Sequence, residues 1–461
     1  MRNSISRRDF LKTALTLSGG TLLAACTPLG SGSLSNNAPA GATSAAPAAA
    51  AAKKLVFSTY IFESFQDAMD KVIDGWVATK PAGSVVVERQ YTDAATYWDK
   101  LQTQIAAGTP PDCGISDYGR VVSYAKDGTL LSLTDRIKSS NYPLNKFVPG
   151  ALAQYRWKAG DFDSGNPDGD YYGLPGDAQS HIFAYNKTMF DAAGVSYPTD
   201  DWTWDDLRAA AIKLTDPSKN QFGFYLDPAA EMLQRQIFIT SAGGSIYSAD
   251  SKTSGLSLPG TTEALTWMWN LTWKDKAVMP PWANPTTQPF AEKKVAMTVE
   301  GVWWIADFDK GVGTGNWDVA LLPKHPKTGK RTTSVESDGW WIFKGSKEPD
   351  LAWDLIQYLA SPTGQKIFSG LNYIIPSCIP DVAADWYAQK PPDHRSKVLD
   401  NINLDSAKIF YTSYNAATIY NVYSPILLKA FFDGSDLGQA IKDAEASMNN
   451  ELTNAWASYN K

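Results

Sequence analysis

Aromatic and acidic side chains, rather than nucleophiles or metal ligands, are where this 461-residue chain concentrates its chemistry. Its 17 Trp, 21 Tyr and 18 Phe fall in close sets: Trp202/Trp204, Trp267/Trp269/Trp273, Trp303/Trp304 and Trp340/Trp341. A flat ring offers an apolar platform, and a carboxylate or amide beside it can fix hydroxyl hydrogens. Together they suit a polyhydroxylated ring with C–H faces. Trp267 and Trp269 lie in a helical run, where core packing is the simpler account. Asp161, Asp163, Asp168 and Asp170, with Asn166 among them, could supply oxygen ligands to a structural Ca²⁺. The spacing is not that of an EF-hand, Tyr172 stands where the loop's last acid would be, and Asn166-Pro167-Asp168-Gly169 also makes a good turn. The only histidines, His181, His325 and His394, are far apart. G-x-S-x-G, H-E-x-x-H and P-loop patterns are absent. The chain therefore reads as a binder and not an enzyme, although a pair of glycosidase carboxylates leaves no sequence signature.

These residues need rigid elements to hold them. Leu55-Val56-Phe57 reads as a buried strand, and Phe65, Met69, Val72, Ile73 and Trp76 form a helical stripe. Pro81 and Gly83 break it before Val85-Val86-Val87. This β–α–β alternation recurs and predicts an α/β fold. Thr203-Trp204-Asp205-Asp206 is a capping box opening a helix through Leu214. Residues 351–356 predict an amphipathic helix stopped by Pro362, and 437–456 a last helix with one polar face.

The N-terminus sets the compartment. Ser6-Arg7-Arg8-Asp9-Phe10-Leu11-Lys12, an apolar run and Leu23-Ala24-Ala25-Cys26 have the order of a removable export signal. The paired arginines resemble a twin-arginine signal, and Leu-Ala-Ala-Cys resembles a bacterial lipobox, which implies lipidation of Cys26. The apolar run is shorter than the roughly 20 residues a membrane span requires. Residues 1–25 are thus expected to be removed and 26–52, rich in Ala, Gly, Pro and Ser, to form a lipidated tether. The expected location is extracytoplasmic, on the outer face of the cytoplasmic membrane or in the periplasm. Removing Arg2, Arg7, Arg8 and Lys12 with Asp9 takes the formal charge from −6 to −9. That balance argues against nucleic acid as a partner. Cys113 and Cys378 remain, and outside the membrane they could pair. The mature length exceeds one ordinary core and predicts two domains.

Several segments, in order, resemble the extracellular solute-binding proteins of carbohydrate ABC importers, the maltose-binding-protein-like group. Gly108-Thr109-Pro110-Pro111-Asp112 and Gly128-Thr129-Leu130-Leu131-Ser132-Leu133 match one passage. Tyr172-Gly173-Leu174-Pro175 and Tyr185-Asn186-Lys187 match a second, followed by Ala192-Ala193-Gly194-Val195 and the capping box. Phe290-Ala291-Glu292-Lys293-Lys294-Val295-Ala296-Met297 resembles an F-x-x-G-K-x-A-M segment, with Lys293 at the family's usual Gly. Leu321-Leu322-Pro323 and the Ala352-Trp353 helix complete the series.

The resemblance implies a two-lobe periplasmic-binding-protein-like fold (type II), with a cleft between lobes joined by crossovers near 174–177, 320–324 and 369–376. One lobe would combine 53–175 with 324–369 and the other 176–320 with 376–461. It implies a monomer that closes on a sugar or oligosaccharide, without a cofactor, and delivers it to membrane permease subunits of an ABC importer. A phosphorylated polyol or polyamine is the alternative ligand, and a secreted carbohydrate-active enzyme the more distant one. It places an aromatic platform at Trp303, after the strand 295–299. Strand alternation should send one of Trp340 and Trp341 to the cleft, Trp340 by preference, beside Asp338. Tyr60, Phe62 and Glu63, and the loop with Asp117 and Tyr118, would lie at the cleft mouth. Asp117 could equally cap a helix. Asp177 and Gln179 follow the first crossover. Glu231 aligns with a ligand-contacting acid but lacks the flanking aromatics, and Tyr420 and Asn421 come from the weakly matched C-terminal part.

Overall fold

The computed structural model describes residues 51–460 except 62, 227–234, 281–287, 371–375 and 403–412. The signal, Cys26 and most of the tether, together with Phe62, Glu231 and the side chain of Glu63, lie outside the described residues. The rest forms a two-lobe α/β fold. Beside a short pair, Arg156–Trp157 with Asp170–Tyr171, the strands of its main sheets are β1 (Lys53–Ile61), β2 (Val85–Asp93), β3 (Cys113–Ser116), β4 (Leu174–Pro175), β5 (His181–Asn186), β6 (Phe222–Tyr225), β7 (Val295–Gly301), β8 (Trp317–Ala320) and β9 (Gly339–Ile342).

Two main sheets result, with strand orders β2-β1-β3-β9-β4 and β8-β5-β7-β6. In the first, β1 is parallel to β2 (Lys53↔Val85) and to β3 (Phe57↔Cys113), whereas β9 is antiparallel to β3 (Gly339↔Ser116) and to β4 (Gly339↔Pro175). The carboxyl ends of β1, β3 and β4 thus meet the start of β9. In the second, β5 and β7 pair antiparallel (His181↔Gly301), which brings the start of one beside the end of the other. The chain leaves the first sheet after Pro175, enters the second at His181, and returns to the first between Ala320 and Gly339.

The predicted stripe becomes α1 (Glu63–Val77), with Phe65, Met69, Val72, Ile73 and Trp76 all buried against the first sheet. α2 (Ala94–Ala106) follows β2 and is capped by Asp93, whose side chain accepts from Thr96 N. Thr203 and Asp206 form the reciprocal capping box of α3 (Trp204–Leu214) on the second sheet. α4 (Pro349–Leu359) and α5 (Pro362–Gly370) pack beside α1. α6 (Ala416–Asp433) and α7 (Leu437–Tyr459) pair with each other over the second sheet's core. No helix among the described residues is long and apolar enough to cross a membrane.

Two motif residues acquire structural explanations. Asp112, 6% exposed, accepts hydrogen bonds from Val56 N (2.8 Å), Ser346 Oγ (2.7 Å), Lys347 N (2.8 Å) and Glu348 N (3.3 Å). One carboxylate therefore ties β1 to the loop before α4. Lys293 has φ +59°, a left-handed backbone that glycine adopts without steric cost, which accounts for Gly being usual there. Cys113 and Cys378 are both buried free thiols, so the pairing considered above is not made.

Candidate binding site

The two segments that carry the chain between sheets, 176–180 and 331–338, run antiparallel. Gly176 N donates to Asp338 O (2.8 Å), Gln179 N to Glu336 O (2.8 Å) and Glu336 N to Gln179 O (3.1 Å), while Ala178 N donates to Pro376 O (3.0 Å). Gln154 grips the joint at two points: its amide donates to Val335 O (2.9 Å) and its carbonyl accepts from Ser337 N (3.1 Å). Tyr155 donates to Ser337 O (2.5 Å) and accepts from Ser116 Oγ (2.9 Å). Buried hydroxyls and backbone bonds thus hold a polar joint at the ends of both sheets, where open α/β sheets leave space for ligands.

Acidic groups converge on this joint. Asp338 Oδ2 accepts from the Tyr60 hydroxyl (2.5 Å) and Gln179 Nε2 (3.3 Å). Asp177 accepts from Asp338 N (2.9 Å) and from Gln179 Nε2 (3.1 Å). Glu336, 4% exposed, bonds the Tyr118 hydroxyl; its Oε1 has no hydrogen-bond partner among the described residues and lies 3.9 Å from His181 Nδ1. Burial holds His181 neutral, lowering it to about 3, and its Nδ1 meets Ser334 Oγ at 2.7 Å.

Charge among these groups is costly. Burial, with Asp338 and Asp117 nearby, pushes Glu336 up to about 7. Burial and Asp117 also push Asp338 up to about 7. Asp177 is raised well above the usual carboxylate range by burial and then by Asp338. The Tyr60 and Tyr118 hydroxyls, raised by burial and these acids, stay protonated and act as donors. Asp117 does cap the turn Tyr118–Arg120, accepting from Gly119 N (2.7 Å), and also pairs with Arg120 Nε at 3.2 Å. The Arg120 guanidinium lies over Trp98, 4.4 Å from the ring centre.

Trp303 supplies the aromatic wall. It follows β7 in the turn Val302–Trp304, is half-buried, and sets its ring edge-on to His181 at 5.7 Å. It packs against hydrophobic clusters belonging to both sheets. Gly301 permits this, because a Cβ there would sit 2.2 Å from the indole.

The structure therefore gathers Tyr60, Asp117, Tyr118, Asp177, Gln179, Trp303 and Asp338. Trp340 is displaced from the expected role: it is 3% exposed, packed between Phe57 and Phe368, while Trp341 meets Trp98, Tyr124 and Phe343 on the other face. Alternation holds, but both faces of β9 are covered. Tyr420 and Asn421 lie on α6, which approaches the Tyr118–Arg120 turn; Tyr420 is half-buried against Tyr423 (5.8 Å) and Asn421 is exposed. Glu336 and His181 escaped the sequence reading, although Glu336 precedes Asp338 by two, the spacing of one strand face.

The calcium expectation is not supported. Asp161 bonds Asn166, Asp163 accepts from Ser251 Oγ (2.7 Å), Asp168 faces Lys158 at 3.8 Å, and Asp170 is exposed in a short strand pair with Trp157. Each carboxylate has a different setting, and no metal-binding group of three or more acids, histidines or cysteines occurs among the described residues.

The profile of the bacterial extracellular solute-binding protein family matches residues 77–394. The chain is similar to a binding protein of Brucella abortus (strain 2308), 26% identical over 302 residues, covering 63% of this chain and 69% of that one. It is similar to the maltodextrin-binding protein of Bacillus subtilis (strain 168), 23% identical over 332 residues, covering 70% and 73%. Among solved structures, an ABC substrate-binding protein from Listeria monocytogenes in complex with cycloalternan superposes with a TM-score of 0.76 at 24% identity, covering 87% of this chain and 99% of that one. That likeness shows the fold.

Proposed function

The chain belongs to the bacterial extracellular solute-binding protein family, and from that premise we propose that it captures a sugar or oligosaccharide and delivers it to an ABC importer. The observation that carries the ligand class is Trp303, a half-buried platform packed against both sheets' cores and set beside a ring of carboxylates, hydroxyls and an amide. An indole face stacks on sugar C–H groups while Asp177, Gln179 and Asp338 fix hydroxyls. The maltodextrin-binding relative and the cycloalternan complex agree with this class. A phosphorylated polyol is disfavoured, because its charge would meet several carboxylates and one nearby guanidinium, already paired with Asp117.

The lobes in this reading are 53–175 with 324–369 and 176–320 with 376–461. They close over the ligand because it touches both sides and so favours the closed state. Cys26, lipidated after export through the twin-arginine signal, anchors the protein as a monomer outside the cytoplasmic membrane, within reach of its permease. Titration of the intrinsic Trp fluorescence of the mature protein with a sugar panel tests the reading. Saturable binding without turnover is expected, weakened at least ~10-fold by Trp303→Ala. Cleavage of the sugar, or unchanged affinity in the variant, would overturn it.

A further inference from the structure

Asp117 has Arg120, but Asp177, Glu336 and Asp338 have no cationic partner among the described residues. The groups facing them are Tyr60 from β1, Asp117 and Tyr118 from the turn after β3, Tyr155, Gln179, Ser334, the neutral His181, and the Cys378 thiol near Asp177. None carries positive charge. Glu336 Oε1, in a side chain 4% exposed, has no hydrogen-bond partner among the described residues. Trp303 lies edge-on to His181, and Tyr118 bonds Glu336 through its hydroxyl, so both aromatic residues adjoin these acids.

A neutral sugar would leave this imbalance in place. Its hydroxyls can donate to each carboxyl, yet they bring no positive charge that would let these buried acids ionise. Resting on the sugar-binding reading, we infer that the ligand carries a cationic nitrogen: the site takes an amine-bearing sugar, its ammonium received among Asp177, Glu336 and Asp338. The ammonium supplies up to three donors, and Glu336 Oε1 is one waiting acceptor. Because Glu336 and Asp338 titrate near 7, binding of the cation drives them to ionise and releases protons. Affinity for the amine therefore falls as pH drops below about 7, by up to ~10-fold per pH unit for each carboxylate that must ionise.

The test titrates the mature protein with glucosamine, galactosamine, mannosamine and their short oligomers, each beside its N-acetylated and hydroxyl counterparts, with spermidine as a cation that is not a sugar. Calorimetry in two buffers of different ionisation enthalpy reads the proton count. At least one amine should bind at least ~10-fold more tightly than both counterparts and release protons. Glu336→Gln should abolish most of that preference, and its urea unfolding near pH 4.5, where it should match the wild type, shows that the variant is folded. Neutral sugars binding as well as their amines, or an absence of amine binding, overturns the inference while a bound neutral sugar keeps the sugar reading. Spermidine binding without any sugar does the reverse: it sinks the sugar reading and keeps the cation.

Discussion

Replacing Glu336 by Gln should make the unliganded protein more stable, and increasingly so as pH rises. Glu336 is buried, and its carboxyl moves from an ordinary 4.5 to about 7 on folding. The folded state thus holds a proton that the unfolded chain has released, and stability falls as pH climbs from about 4.5 to about 7. At about 1.4 kcal/mol per pH unit, the full loss is about 3 kcal/mol, an upper bound because water entry and small movements relieve part of it. Gln resembles the protonated acid and cannot ionise. Wild type and E336Q should match near pH 4.5, and the variant should lead by about 2–3 kcal/mol at pH 8. Urea unfolding of both proteins at several pH values, with no sugar present, reads the difference; Asp338 and the other acids cancel to first order because both proteins retain them. A difference that stays flat with pH, or a variant less stable at pH 8, would refute the argument that Glu336 is buried without compensating charge.

Gly301→Ala should weaken sugar binding nearly as much as Trp303→Ala while keeping the indole, because the new Cβ would sit 2.2 Å from the ring and push it from its place; calorimetric affinities of the two variants compare them directly. Asp112→Ala should cost roughly 3–5 kcal/mol in urea unfolding, since four donors from β1 and the loop before α4 lose a buried carboxylate. Lys293→Gly should add about 0.5–1 kcal/mol by relieving a left-handed residue at φ +59°, less the greater entropy glycine gives the unfolded chain. Cys113 and Cys378 should resist alkylation in the native state and both react after unfolding without reductant; fewer than two modified thiols between them would contradict the structure.

The fold was legible because it depends on local and ordered signals. The stripe Phe65–Met69–Val72–Ile73–Trp76 is buried as its period requires, and Thr203 caps α3 through a bond pattern spanning four residues. Lys293 also shows how one departure from a family pattern can carry geometric information, since it adopts the backbone that explains the usual glycine. The site depends on longer-range facts. Glu336 matters because it lies against Gln179, a pairing across 157 positions that no local period records. Trp340 departs from its expected place for a related reason: alternation tells which side of β9 each indole takes, but not that α5 and the Trp98 cluster cover both sides. The Asp161–Asp170 run fails as a metal loop because proximity in sequence does not aim carboxylates at one point.

The same residues form the joint between sheets and the candidate ligand contacts, and this gives the pair of functions a common energetic basis. Gln179 and Glu336 pair through their backbones at the crossing while their side chains join the acidic ring. Backbone bonds at the crossing can stay intact while side-chain electrostatics change, so protonation or a ligand can alter the cost of closing without dismantling the joint. The magnitudes are comparable. Ionising Glu336 in the unliganded fold costs up to about 3 kcal/mol, and a ligand present at 100 times its dissociation constant returns about 2.7 kcal/mol through mass action. A cationic ligand that cancels the charge would therefore both restore stability near pH 8 and flatten its dependence on pH. A neutral ligand would raise stability at every pH and leave the slope nearly unchanged. The slope of stability against pH, measured with saturating ligand, thus separates charge compensation from stacking alone, even though both are centred on the Trp303 wall.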